Sequence, residues 1–73
     1  MTPKQARIQI GYFIDCLKRI DHKYSSIGLM LIIGRLSEID NDSDSDQCHY
    51  VTQDAASDYR YTMERISYFG EIK

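Results

Sequence analysis

Four aspartates at alternate positions, Asp40, Asp42, Asp44 and Asp46, form the densest group of potential ligands in the chain. A calcium loop uses carboxylates at its positions 1, 3 and 5, then Gly at 6 for a sharp turn and a bidentate Glu at 12. A register starting at Asp40 meets Ser45 in place of Gly and Val51 in place of Glu, and one starting at Asp42 meets Gln47 and Gln53. Both registers fail where geometry and charge are set, so the run is read as a solvated acidic loop and no metal site is expected. Such a loop offers a dense negative patch to a basic partner surface. Ser43 and Ser45, set among these aspartates, have the surroundings of acidic-directed phosphorylation sites.

Cys16, His22, Cys48 and His49 supply the residue types of a zinc site but not its spacing, which brings paired ligands two to four residues apart in each half. Cys16 is better read as a small buried hydrophobe beside a helical core stripe. Cys48 and His49 are also a nucleophile and a base by type. Covalent catalysis needs a held geometry, a third orienting group and a pocket, and this pair falls in the segment expected to be most mobile. No catalytic residue and no cofactor are expected, and the chain is not read as an enzyme.

The six tyrosines, Tyr12, Tyr24, Tyr50, Tyr59, Tyr61 and Tyr68, carry more information. Tyr61, Tyr68 and Ile72, with Arg65 among them, recur at helical spacing on a side that differs from the inward stripe containing Tyr59. Tyr and Arg present large contact area with a polar tip, which is why binding hot spots are rich in them. In a chain with no Trp and two Phe, Tyr also serves as filler at the rim of a core. The acidic run just upstream favours the interface reading for Tyr61, Arg65 and Tyr68.

A net charge of -2 conceals an asymmetry, with residues 1–37 at +4 and residues 38–73 at -6. This polarity suits contact with a basic protein surface and weighs against nucleic-acid binding, for which one face should be extensively basic. A helix-turn-helix reading would use Arg60 and Arg65, yet Asp54, Asp58 and Glu64 share the same helix. Lys4, Arg7, Lys18 and Arg19 are the cations left for phosphate contacts. The longest apolar run, Leu29 to Ile33, is far short of the ~18 residues needed to cross a bilayer. No signal-peptide pattern opens the chain, so a cytoplasmic location with free thiols is expected.

These residues must be positioned by helices. Thr2, Pro3 and Gln5 form a capping box with proline at the first helical position, and Ala6, Ile10, Phe13, Ile14, Leu17 and Ile20 give a 3.6-residue stripe. The first helix is predicted over about 3–20. A second, capped by Ser25 or Ser26, is predicted over about 25–39, with a short buried strand at Leu29–Ile33 as the weaker rival. It is apolar on almost every side, so it should be central or pressed against a second copy, with Gly28 and Gly34 permitting close approach. The third is predicted over about 52–69, with Asp54 in its first turn, Ala56, Tyr59, Met63 and Ile66 facing inward, and Gly70 ending it.

The expected fold is all-α: one helical domain over residues 1–73, a small three-helix bundle with a long acidic loop at 40–51, completed by homodimerisation around the second helix. The expected function is a small acidic protein-interaction module, an inhibitor or adaptor of the phage or accessory type, that occupies a basic surface of a protein or nucleic-acid-binding complex. Asp40, Asp42, Asp44, Asp46, Tyr61, Arg65 and Tyr68 are its expected partner-binding residues. A small helical DNA-binding regulator and a divalent-metal-responsive switch are the alternatives.

Overall fold

The structure, a computed structural model, describes residues 1–68. Three helices follow one another, α1 (Pro3–Lys18), α2 (Lys23–Leu36) and α3 (Ser45–Tyr68), and each packs on the other two. This is the small all-α three-helix bundle that the periodicity calls for, and Leu29–Ile33 is helical. At about 1.5 Å per residue α3 runs about 36 Å, nearly the full 41 Å length of the molecule.

The capping box at α1 forms as its sequence predicts. Thr2 accepts from the Gln5 amide at 3.1 Å, and the Gln5 side chain accepts from the Thr2 amide at 2.9 Å. The remaining boundaries differ from expectation. The first helix stops at Lys18 rather than about 20, and the second ends at Leu36 rather than about 39. The N-cap of α2 is His22, whose Nδ1 accepts from the Tyr24 amide at 3.1 Å, and neither Ser25 nor Ser26 has that role. Ser25 lies inside the first turn, buried, with its hydroxyl on the Ile20 and His22 carbonyls.

The largest correction concerns α3, which begins at Ser45 instead of about 52. Asp44 supplies the cap: its carboxylate accepts from the Gln47 amide at 2.6 Å and its carbonyl from the Cys48 amide at 3.0 Å. The first-turn acid is therefore Asp46 and not Asp54. The connection between α2 and α3 is shortened to residues 37–44, and Cys48, Val51 and Thr52 become core residues of a helix. The predicted end of this helix at Phe69, with Gly70 as its stop, lies outside the described residues.

The core joins Ala6, Ile10, Ile14 and Leu17 of α1 to Ile32 of α2, Ile39 of the connection, and Cys48, Val51 and Ala55 of α3. Burying a side chain such as Ile10, Leu17 or Ile32 stabilises the fold by about 1.5–3 kcal/mol, so a few residues carry much of a small domain's stability. Phe13 and Tyr59 stack at 5.1 Å along one edge of this core. Ala55 rather than Ala56 is fully buried, and Thr62 joins the inward side of α3. Thr52 and Thr62 are tolerated there because their hydroxyls donate back to the carbonyls of Cys48 and Asp58, both at 2.8 Å.

At Gly28 the backbone of α2 lies directly against Thr62 of α3. A Cβ on it would fall inside the Thr62 side chain, so only glycine fits without a shift of one helix. Gly34, the second glycine read as an approach point, has no neighbour within 4 Å of the place its Cβ would occupy and is exposed.

Candidate functional site

Two adjoining concavities lie at the C-terminal end of α3 and share Tyr61 and Arg65. The first, about 250 Å³, lies between α2 and α3 and is lined by Tyr24, Ile27, Leu31, Tyr61, Thr62 and Arg65. The second, about 300 Å³, is bounded by Tyr61, Glu64, Arg65 and Tyr68. Tyr61 is 55% exposed and Tyr68 84% exposed, which puts both outside the core. Ile72, read on the same side, lies outside the described residues.

Arg65 organises this surface. It lies one helical turn beyond Tyr61, donates from Nη1 to the Tyr61 hydroxyl at 2.9 Å, and places its guanidinium 5.5 Å from that ring and 5.4 Å from the ring of Tyr24. Contacts of this type are worth about 0.5–1 kcal/mol each at exposed sites. Their consequence is a pre-ordered wall of two aromatic rings and one cation. Tyr24 is further held by stacking on His22 at 4.9 Å.

The acidic residues read as part of the same site are elsewhere. Counting along α3 at about 1.5 Å per residue, Asp46 and Tyr61 are separated by about 22 Å. The four aspartates also do different jobs. Asp40 Oδ1 accepts from the Asp42 amide at 2.9 Å, closing an Asx-type turn, and Asp44 caps α3. All four are exposed, and the carboxylates of Asp42 and Asp46 take no part in the turn or the cap. The serines between them are engaged as well: Ser43 Oγ lies 3.2 Å from Asp40 Oδ1 and accepts from the Asp40 amide, and Ser45 Oγ accepts from the Met1 amino group at 2.6 Å. Among the described residues, no group of three His, Cys, Asp or Glu side chains is gathered so as to hold a metal ion.

Arg35 is a structural residue that charge counting along the chain overlooks. From α2 it donates through Nε to Asp58 at 2.8 Å, meets Glu38 at 3.2 Å and lies 3.9 Å from Asp54. The hydrogen bond to Asp58 is the chief influence holding its guanidinium above the ordinary arginine value, against a smaller opposing effect of burial. Three acids from the negative half are thereby drawn to a cation of the positive half, tying α2 to α3. The signal in the sequence is the lone arginine near the end of an apolar helix, a position that would otherwise be left to solvent.

The outward side of α2 is apolar and uncovered by α1 or α3: Ile27 is 57%, Met30 76%, Leu31 47% and Ile33 50% exposed. The helix is thus not central. Its buried residues are Ser25, Gly28 and Ile32, with Leu29 and Leu36 partly buried against the core, and Ile27, Met30, Leu31 and Ile33 are left exposed. Ile27 and Leu31, with Tyr24, complete the first concavity and are the candidate residues that the reading of α3 alone misses. The available signal is the all-round apolarity of this segment, since a chain with two other helices can cover only part of it.

The remaining chemistry-bearing residues are dispersed. Cys48 is fully buried and its neighbour His49 is exposed, so adjacent in sequence they sit on different sides of α3 and not in a mobile loop. Cys16 is half-buried beside Tyr59, whose phenol is raised above its ordinary value first by burial and then by that thiol. Among the helix 1 cations, Arg7 donates to the Ile39 carbonyl at 3.4 Å and to Asn41 Oδ1 at 3.1 Å, which ties it to the acid-rich connection. Among the described residues no helix is long and apolar enough to cross a membrane. Compared with protein-family models, with curated proteins and with solved structures, the chain matches none.

Proposed function

We propose that the protein is a small interaction module, an inhibitor or adaptor acting in the cytoplasm by occupancy of a partner protein with a basic surface. The observation that carries this reading is the wall formed by Tyr24, Tyr61 and Arg65, continued by Tyr68 along α3 and by Ile27 and Leu31 along α2. Large aromatic area held in place before binding loses little conformational entropy on association, which is the physical content of a hot spot. The acid-rich end, with all four aspartates exposed, has a separate role: it accelerates encounter with a positive surface. Asp40 and Asp44 contribute charge to the same field while holding the backbone that presents it. Arg65 and the tyrosines then form the desolvated contact.

Affinity capture of the tagged protein from its native lysate, with and without nuclease, tests this reading. One stoichiometric protein partner that survives nuclease is expected. Recovery of nucleic acid alone would favour a DNA-binding regulator instead, and recovery of nothing would count against an interaction module.

A further inference from the structure

The outer face of α2 carries a pattern of which the partner-binding reading uses only Ile27 and Leu31. At about 100° per residue, Lys23, Ile27, Met30, Leu31 and Gly34 fall within an arc of about 100°, on the side away from Ser25, Gly28 and Ile32. The stripe begins with a cation, is apolar through its middle, and is followed just past the end of the helix by Glu38. Its one gap is Gly34, where a side chain would meet nothing in this chain and where glycine weakens the helix relative to alanine.

We infer that this stripe is the interface of a symmetric dimer, in which α2 pairs antiparallel with α2 of a second copy across a two-fold axis passing between Met30 and Leu31. In that register Met30 lies over Leu31 of the second copy, Ile27 lies over Gly34 of the second copy, and Lys23 meets Glu38 of the second copy. Each contact occurs twice, as a two-fold axis requires. The gap at Gly34 receives a large side chain, and at the two ends Lys23 joins the ion pair that Glu38 of the second copy already makes with its own Arg35. A parallel arrangement would instead set Lys23 against Lys23 and Glu38 against Glu38.

The area fits a second copy. Ile27, Met30 and Leu31 of the stripe, together with Ile33 and Tyr61 flanking it, expose on the order of 600 Å² per copy, close to the lower bound of about 1,200 Å² in total for a stable specific interface. An interface at that lower bound gives a reversible, concentration-dependent dimer. The dimer face shares Ile27, Leu31 and Tyr61 with the aromatic wall, whereas Lys23, Met30 and Glu38 lie outside both concavities, so variants at those three positions test the dimer separately from the partner-binding reading.

Sedimentation equilibrium of the full chain over about 1–500 µM should show a mass rising from 8.5 kDa to twice that value. Met30→Lys places two cations at the two-fold axis and should raise the dissociation constant at least about tenfold, with helicity unchanged because Met30 is 76% exposed. Lys23→Glu and Glu38→Lys should each weaken the dimer about tenfold, and the double variant, which restores opposite charges in every pair, should recover most of the loss. A chain that stays monomeric at every concentration, a dimer indifferent to Met30→Lys, or a double charge swap no better than the single variants would each overturn the antiparallel dimer.

Discussion

The two ends of α3 are built on opposite logic. At its N-terminal end, polar side chains are spent on the backbone: Asp44 caps the helix, Asp40 closes the turn before it, Ser43 joins that turn, and Ser45 accepts from the amino group of Met1. At its C-terminal end, large side chains are held by one another: Arg65 lies against Tyr61 and Tyr24, and little of this arrangement is needed by the core. The contrast teaches that residue type alone does not reveal which charges and rings are available to a partner. Half of the aspartates are structural, whereas Tyr61 and Tyr68 stand outside the packing.

Substitutions can break or sharpen this contrast. The largest effect is expected at Ile66, fully buried between the two exposed tyrosines in sequence. Ile66→Ala should cost about 2–5 kcal/mol, enough to unfold much of a marginal domain, as read by urea denaturation. A loss below about 1 kcal/mol would mean that Ile66 is not closely packed beneath the aromatic end.

Next comes the pair of glycines on α2. Gly28→Ala must push a methyl group into Thr62 and should destabilise by about 1–3 kcal/mol, despite the better helix propensity of alanine. Gly34→Ala meets no atom within the chain and should stabilise the monomer by about 0.5–1 kcal/mol. Equal effects at the two sites would refute the close approach at Gly28.

The smallest expected effect separates the aspartates. Asp44→Ala removes a cap and should cost about 1 kcal/mol, a fall in Tm of about 4–8 °C for a domain of this size, while Asp42→Ala should leave Tm nearly unchanged. For binding the order reverses. Asp42→Asn with Asp46→Asn should slow association, chiefly at low salt, because those two carboxylates are exposed and their removal leaves the turn and the cap intact. Unchanged association kinetics would reduce the acid-rich end to a connection.

The fold is largely legible in the sequence where local rules and burial agree. Thr2, Pro3 and Gln5 form the cap that their types and spacing imply, and Ala6, Ile10, Ile14 and Leu17 are buried as their stripe requires. The start of α3 is hidden because a run of Asp and Ser resembles a loop until Cys48, Val51 and Thr52 are recognised as one inward face. Two of those three are poor markers of a core by type. A buried threonine satisfies its hydroxyl on its own helix, and a buried cysteine beside a histidine looks like chemistry. For the candidate site, the exposure of Tyr61 and Tyr68 follows from their spacing. The contributions of Tyr24, Ile27 and Leu31 do not, since they depend on which side of an almost wholly apolar helix faces α3.

The most direct measurement is the affinity of the Tyr61→Ala/Tyr68→Ala double variant for the protein captured by the unmodified chain, with circular dichroism of the same samples. Helicity should be retained and Tm should fall by no more than about 5 °C, while affinity drops about 100-fold or more. An unfolded double variant would place these tyrosines in the core, and undiminished affinity in a folded one would remove the aromatic end of α3 from the binding surface.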